Sequence, residues 1–329
     1  MKRRDFLALA AASGAVVGLT ACGGGSGSDS GSDSGSGSGS SGGDVIRVGY
    51  SQLGAESGWR TANTEDIKKH LTADNGFELT FVDAQQKQEN QIKALRDFIS
   101  QDVDIVAFSP VVETGWDDVL QELKEAEIPV ILVDRSVDTT VEDPYVAHIG
   151  SDLSAEGEKA GQWVKENYPD AKIFELQGTM GSGAQIDREE AFDKVVGAEK
   201  IIGKATGNFT RAEGKTAMEA ALQAYPDMTL LFAHNDDMGL GAIEAIEAAG
   251  KKPGTDIVIV TIDGVKDGLQ ALCDGKFNYV VECNPIFGEQ LGALMKKIVA
   301  GEKVEKNTVV EDKAFDQSIT QEEVDARPY

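Results

Sequence analysis

LLFAHNDDMGLGAIEAIEAAG, residues 230–250, decides the fold. Leu230-Leu231-Phe232-Ala233 is apolar at every position, the pattern of a strand covered on both faces. His234-Asn235-Asp236-Asp237 then forms a polar corner at the carboxyl end of that strand. From Met238 to Ala249 apolar residues return at helical spacing, and Gly250, ahead of Lys251-Lys252-Pro253-Gly254, stops the helix. Strand, polar corner and amphipathic helix together make one unit of a parallel α/β sheet.

The unit recurs in both directions. Apolar runs lie at 45–50, 79–82, 104–108, 130–133, 172–176 and 257–262, and amphipathic stretches at 61–73, 89–100, 119–126, 156–167 and 211–224. No period of 20–50 residues repeats. The series is too long for one small sheet and splits near 150–152, where a short polar segment joins Ile149 to Leu153. The expected architecture is therefore α/β, with two doubly wound parallel-sheet lobes of about five or six strands each. In such folds ligands bind beyond the carboxyl ends of the strands. Those ends carry Ser51-Gln52, Pro110, Asp134-Arg135, Gln177-Gly178, residues 234–237, Asp263-Gly264 and Glu282. A protein built only for its core does not require so many polar groups there.

Composition narrows the function. The chain has 329 residues, 41% hydrophobic, with 31 basic and 56 acidic side chains and a net charge of -25. A phosphate-binding face needs clustered Lys and Arg, so nucleic acid and anionic lipid are disfavoured as main partners. Three Cys exclude a disulfide scaffold, and three His leave little room for a His-based metal site. No cofactor or metal is expected. No GxSxG, HExxH or Walker loop occurs, so no catalytic constellation is evident.

The first 44 residues read as address and tether. Lys2, Arg3 and Arg4 precede an apolar stretch at 6–19 that is too short to span a bilayer as a helix. Leu19-Thr20-Ala21-Cys22 resembles a bacterial lipobox, which makes 1–21 a lipoprotein signal peptide and Cys22 the lipidated residue. Its alternative is an ordinary Cys beside an ordinary cleavage site. Arg3-Arg4-Asp5-Phe6-Leu7 also resembles a twin-arginine signal, without the usual Ser or Thr before the pair. Residues 23–43 are Gly, Ser and two Asp, a flexible spacer within a 22–44 linker. Three basic and four acidic residues lie in 1–44, so -24 of the net charge belongs to 45–329.

Asp134-Arg135-Ser136, Glu175-Leu176-Gln177-Gly178, Ala233 to Met238 and Ile262-Asp263-Gly264 together resemble the periplasmic sugar-binding proteins of the ribose/galactose type. The similarity covers almost all of 45–329. Residues 51–60 (SQLGAESGWR), 85–91 (QQKQENQ) and 110–116 (PVVETGW) look closest to the galactofuranose-binding subgroup. The resemblance implies the type I periplasmic binding protein fold, with two lobes joined by three crossovers. Lobe one is expected at 45–150 plus 284–311, and lobe two at 151–283 plus 312–329. It also implies a monomer outside the cytoplasm, here lipid-anchored to the outer face of the cell membrane. Such a monomer would capture one monosaccharide, galactofuranose or galactose first among candidates, by hinge closure and deliver it to an ABC importer's permease. The lipidated start is similar to Gram-positive relatives. The family's calcium-loop variant has no counterpart here.

Sugars present paired hydroxyls and weakly apolar C–H faces, which suit carboxylates, guanidiniums, amides and aromatic rings. The candidate ligand residues are Ser51, Gln52, Glu56, Trp59, Arg60, Asp134, Arg135, Arg188, Phe209, Asn235, Asp263 and Glu282. Each has an ordinary alternative. Asp134-Arg135 suits a structural ion pair, Glu56 and Arg60 an i,i+4 pair, and Trp59 and Phe209 core packing. Asp263 suits a helix cap, and Arg188 a surface pair with Glu189 or Glu190. Asp236 and Asp237 are expected to cap the helix at Met238, and Trp116 to line the mouth or pack between helices. Many relatives carry an amide where Glu282 stands. Cys273 and Cys283 could form a disulfide or remain two thiols.

Other classes fit less well. Carboxylates at strand ends could mimic a glycosidase pair, but they suit binding equally. The effector core of LacI-type repressors shares the fold but needs an N-terminal helix-turn-helix, and here an export signal takes that place. A sugar sensor feeding a membrane receptor or kinase, or a site for another sugar, a pentose or inositol, remains the alternative.

Overall fold

A computed structural model describes residues 45–329. The expected signal peptide, Cys22 and the linker lie outside the described residues. In chain order the elements are β1 (Ile46–Gln52), α1 (Gly58–His70), β2 (Phe77–Asp83), α2 (Gln88–Ser100), β3 (Ile105–Phe108), α3 (Asp117–Glu125), β4 (Val130–Val133), β5 (Ala147–Gly150), α4 (Leu153–Asn167), β6 (Ile173–Gln177) and α5 (Gly183–Val196). Then come β7 (Ile201–Thr206), α6 (Arg211–Ala224), β8 (Leu230–Ala233), α7 (Asp236–Ala248), β9 (Val258–Asp263), α8 (Lys266–Cys273), β10 (Tyr279–Glu282), α9 (Gly288–Val299), β11 (Asn307–Val309), β12 (Ala314–Asp316) and α10 (Gln321–Asp325).

Two six-stranded sheets organise these elements, in the orders β11-β5-β4-β3-β1-β2 and β12-β10-β9-β8-β6-β7. Every pairing is parallel except β10 with β12. The antiparallel edge departs from the all-parallel expectation for a topological reason. The chain leaves the carboxyl end of β11 and enters the second sheet at the carboxyl end of β10, where Glu282 N donates to Lys313 O. From there it can only run backwards. The chain passes between the sheets three times: between β5 and β6, β10 and β11, and β11 and β12.

The strands are buried on both faces, as their uninterrupted apolar runs require. In β8, Leu230 and Phe232 face one core while Leu231 and Ala233 face another. In β4, Ile131 and Val133 join the first of these cores and Val130 and Leu132 a third. Side chains alternate along a strand, so each sheet separates two helical layers. Helix α9 packs on α1, α4 on α5 and α6 on α7. In each sheet the strand order reverses beside the first strand of that lobe, β1 or β6, which opens a crevice at the carboxyl ends. Among the described residues no helix is long and apolar enough to cross a membrane.

Candidate functional site

The lobe-one wall is built by two corners. After β1 the chain turns into α1, whose N-cap Ser57 accepts a hydrogen bond from Arg60 N. This first turn sets Glu56, Trp59 and Arg60 at the crevice. Arg60 donates from Nε to Glu56 Oε1 at 3.2 Å, from Nη2 to Asp134 Oδ2 at 2.6 Å and from Nη1 to Ser109 Oγ at 3.3 Å. Its guanidinium lies 4.5 Å from the centre of the Trp59 ring. Trp59 in turn donates Nε1–H to Cys283 O at 2.5 Å. The second corner follows β4. Arg135 N donates to Val133 O at 2.7 Å, closing a three-residue turn with Asp134 at φ 66°. Such a turn is rare and strained, and it brings both Asp134 and Arg135 to the crevice.

The lobe-two wall meets it from the other side. Arg188 projects from α5 and donates from Nε to Glu156 Oε2 at 2.8 Å and from Nη1 to His234 O at 2.6 Å. Its Nη2 stands 3.8 Å from Asp263 Oδ1. Arg188 is therefore deeply buried and pairs with neither Glu189 nor Glu190. Phe209 occupies the left-handed region, at φ 63°, an outlier for an aromatic residue. Its ring is seated against Gly178, where a Cβ would come within 1.9 Å of Cζ. Asn235, not Asp236 or Asp237, caps α7. Its Oδ1 accepts from Met238 N at 3.0 Å and its Nδ2 donates to Phe209 O at 3.1 Å. Asp236 instead accepts from Thr261 Oγ1 and Val265 N. Asp237 reaches across the crevice and accepts from Gly58 N at 2.7 Å, at the start of α1.

Glu56, Trp59, Arg60, Asp134, Arg135, Arg188, Phe209, Asn235 and Asp263 converge on one small cavity, with Ser57, Ala184 and Cys283 completing its lining. Three other candidates stand elsewhere. Ser51 is fully buried in β1, away from the lining. The Gln52 amide is spent on Asn63, Thr64 and Leu53 N. Glu282 is held by Lys313 N, Arg327 and the Tyr329 hydroxyl at the crossover. Trp116 packs on Phe108 in the core of lobe one. Cys273 and Cys283 are free thiols, with Cys283 buried.

The cavity is lined by three guanidiniums and three carboxylates. Burial works against ionising Asp134, yet the positive charges of Arg60, Arg135 and Arg188 hold its carboxyl below the ordinary range. Burial and the neighbouring Arg60 push Arg135 down to about 10. Burial raises Asp263 well above an ordinary aspartate despite Arg188. Two buried atoms of the lining have no hydrogen-bond partner: Glu56 Oε2, an acceptor, and Arg135 Nε, a donor. The Arg135 guanidinium lies 5.1 Å from the Phe209 ring centre across the crevice. Unpartnered buried polar atoms are costly, and at a site they are the atoms a ligand satisfies.

Sequence reasoning missed Ser57, Ala184 and Cys283 in the lining, and Glu156 behind it. Ser57 carried a signal, since a Ser opening a helical segment is a natural cap. Among the described residues, Glu175, Glu189 and Asp193 stand at metal-ligand spacing. The Lys204 ammonium already lies within 2.7 Å of each, so it takes the place a cation would fill.

Residues 48–303 match the periplasmic binding protein domain family. The chain is 42% identical to the galactofuranose-binding protein YtfQ of Escherichia coli K12, over 86% of this chain and 91% of that one. A Mycobacterium smegmatis protein in complex with β-D-fucofuranose is 54% identical, with a TM-score of 0.81, covering 83% of this chain and 92% of its own. The periplasmic component of the arabinose ABC transporter of Shewanella sp. ANA-3, bound to α- and β-L-arabinofuranose, is 43% identical with a TM-score of 0.82, over 86% and 96%. The chain belongs to the periplasmic binding protein family, as a type I sugar-binding member, and is a binding protein rather than an enzyme.

Proposed function

We propose that this protein captures one neutral monosaccharide in its furanose form, galactofuranose or a furanose related to it, and delivers it to an ABC importer. The observation that carries the reading is the set of nine converging side chains around unpartnered Glu56 Oε2 and Arg135 Nε. Three guanidiniums against three carboxylates leave the lining formally neutral, which suits an uncharged polyol better than a sugar acid. Arg60, Arg135 and Arg188 would donate to hydroxyls, and Asp134, Asp263 and Asn235 would accept from them. Trp59 and Phe209 would cover the C–H faces.

The lobes, 45–150 plus 284–311 and 151–283 plus 312–329, would close about the three crossovers. The bonds Gly58 N to Asp237 and Glu113 N to Gly181 O bridge the crevice and would stabilise the closed form. Lipidation at Cys22 would hold the protein on the outer face of the membrane. Thermal-shift titration of the protein with L-arabinose, D-galactose and D-fucose tests the binding reading. Ligand that binds only the folded state raises Tm, and the absence of a shift with all three would remove the furanose assignment. Retention of a Cys22→Ala variant on the membrane would remove the anchor.

A further inference from the structure

Glu156 lies on the first full turn of α4, behind the cavity wall, and is fully buried. Its Oε2 accepts from Arg188 Nε at 2.8 Å, and its Oε1 has no hydrogen-bond partner. The next residue is Gly157, where a Cβ would sit 2.4 Å from Arg188 O. Only a glycine lets α4 approach α5 closely enough for the carboxylate to meet the guanidinium. His234 O takes a second edge of the same guanidinium at 2.6 Å. With Nε and Nη1 both held, Nη2 is the nitrogen left beside Asp263 Oδ1, at 3.8 Å. That separation is too long for a direct hydrogen bond. A hydroxyl on the cavity side can accept from Nη2 and donate to Asp263.

We infer that Glu156 is a positioning residue for sugar binding, fixing the Arg188 guanidinium so that Nη2 and Asp263 present a ready donor and acceptor to one ligand hydroxyl. The inference rests on the reading of the cavity as the sugar site. A role in stability alone accounts poorly for Glu156, because a buried ion pair is often matched or bettered by apolar residues of similar volume. Here one carboxylate oxygen is also left unsatisfied. Of the other titratable groups acting on Glu156, Asp312 on the crossover after β11 and Asp263 at the end of β9 repel its charge, and the Cys283 thiol after β10 favours it. Burial pushes its carboxyl up to about 7, so the site maintains it against a real cost. Preorganising a donor in advance lowers the ordering cost at binding.

The test is a double-variant cycle read by calorimetric titration with L-arabinose, with ligand-free Tm measured in parallel. Glu156→Gln keeps the shape and removes the charge. Its affinity should fall about tenfold or more, and ligand-free Tm should fall as well, because Arg188 loses its charged partner. Arg188→Met should lose about a hundredfold or more, and adding Glu156→Gln to it should change little further. A Glu156→Gln affinity within about twofold of the parent overturns the positioning role if Arg188→Met has lost binding. A double variant weaker than Arg188→Met by the whole Glu156→Gln factor also overturns it, because Glu156 would then act independently of Arg188. Full affinity in Arg188→Met sinks the placement of Arg188 at the sugar site, and the inference with it.

Discussion

Arg60 Nη2 and Asp134 Oδ2 lie 2.6 Å apart, although one opens α1 and the other follows β4. Both side chains are almost wholly shielded from solvent, and Arg60 also holds Glu56 and stacks on Trp59. Asp134 is therefore both a strut of lobe one and a wall of the cavity. Removing it strands a buried guanidinium. Asp134→Ala should lower stability by about 3 kcal/mol and abolish detectable sugar binding. Denaturant unfolding and calorimetric titration measure the two effects, and a variant of parental stability would contradict the strut.

Gly178 supports the opposite wall. Its missing side chain is the seat of the Phe209 ring. Gly178→Ala should displace that ring, loosen its contact with Arg135 and weaken binding by about tenfold or more. The fold should persist, since the clash falls on the corner after β6 rather than within a strand of the sheet. Unchanged affinity by titration would mean that Phe209 does not meet the ligand.

Glu282 separates the sequence reading from the structural one. It is held by Arg327, Tyr329 and Lys313 N, outside the cavity lining. Glu282→Gln should cost about 3 kcal/mol of stability, because Arg327 loses its buried partner. Affinity should stay within about threefold of the parent. A large loss of affinity at parental stability would restore Glu282 to the ligand set.

Acid should stabilise the ligand-free protein. Burial raises Glu156 and Asp236 to about 7, and Asp187 and Asp312 to about 6. Unfolded carboxyls titrate near ~4, so between about pH 4 and pH 7 the folded state binds more protons than the unfolded state. Stability from these groups is present below that window and is lost as pH rises through it. Partial protonation also relieves the repulsion of a strongly acidic chain. Tm should therefore rise between pH 8 and pH 5.5. A Tm that falls monotonically over that range would contradict the burial of these carboxyls.

Much of this was legible in the sequence, because a doubly covered strand announces itself by an unbroken apolar run. The segments around β3, β4 and β8 read correctly for that reason. Strands β5, β7, β10, β11 and β12 were not assigned from pattern. They are short or lie at or next to sheet edges, where mixed polarity imitates a loop. The site followed the same logic. Asp134, Arg135 and Asp263 follow or end apolar runs, so their place at the crevice follows from the topology. Ser51 and Gln52 end β1 just as plainly, yet both are buried, and the Gln52 amide is held by Asn63 and Thr64 of α1. Glu156 was unreadable, because a polar residue at helical spacing looks solvated until α5 is known to lie against it.

On the proposed reading, a single furanose fills the cavity between Trp59, Arg135 and Phe209. The most direct measurement is a ¹³C NMR titration with D-galactose labelled at the anomeric carbon, because the bound resonance reports ring form. Furanose binding gives a saturable bound signal at furanose shifts, although furanose is the minor form of the free sugar. A bound signal at pyranose shifts alone, or no saturable binding with L-arabinose and D-fucose as well, would contradict it.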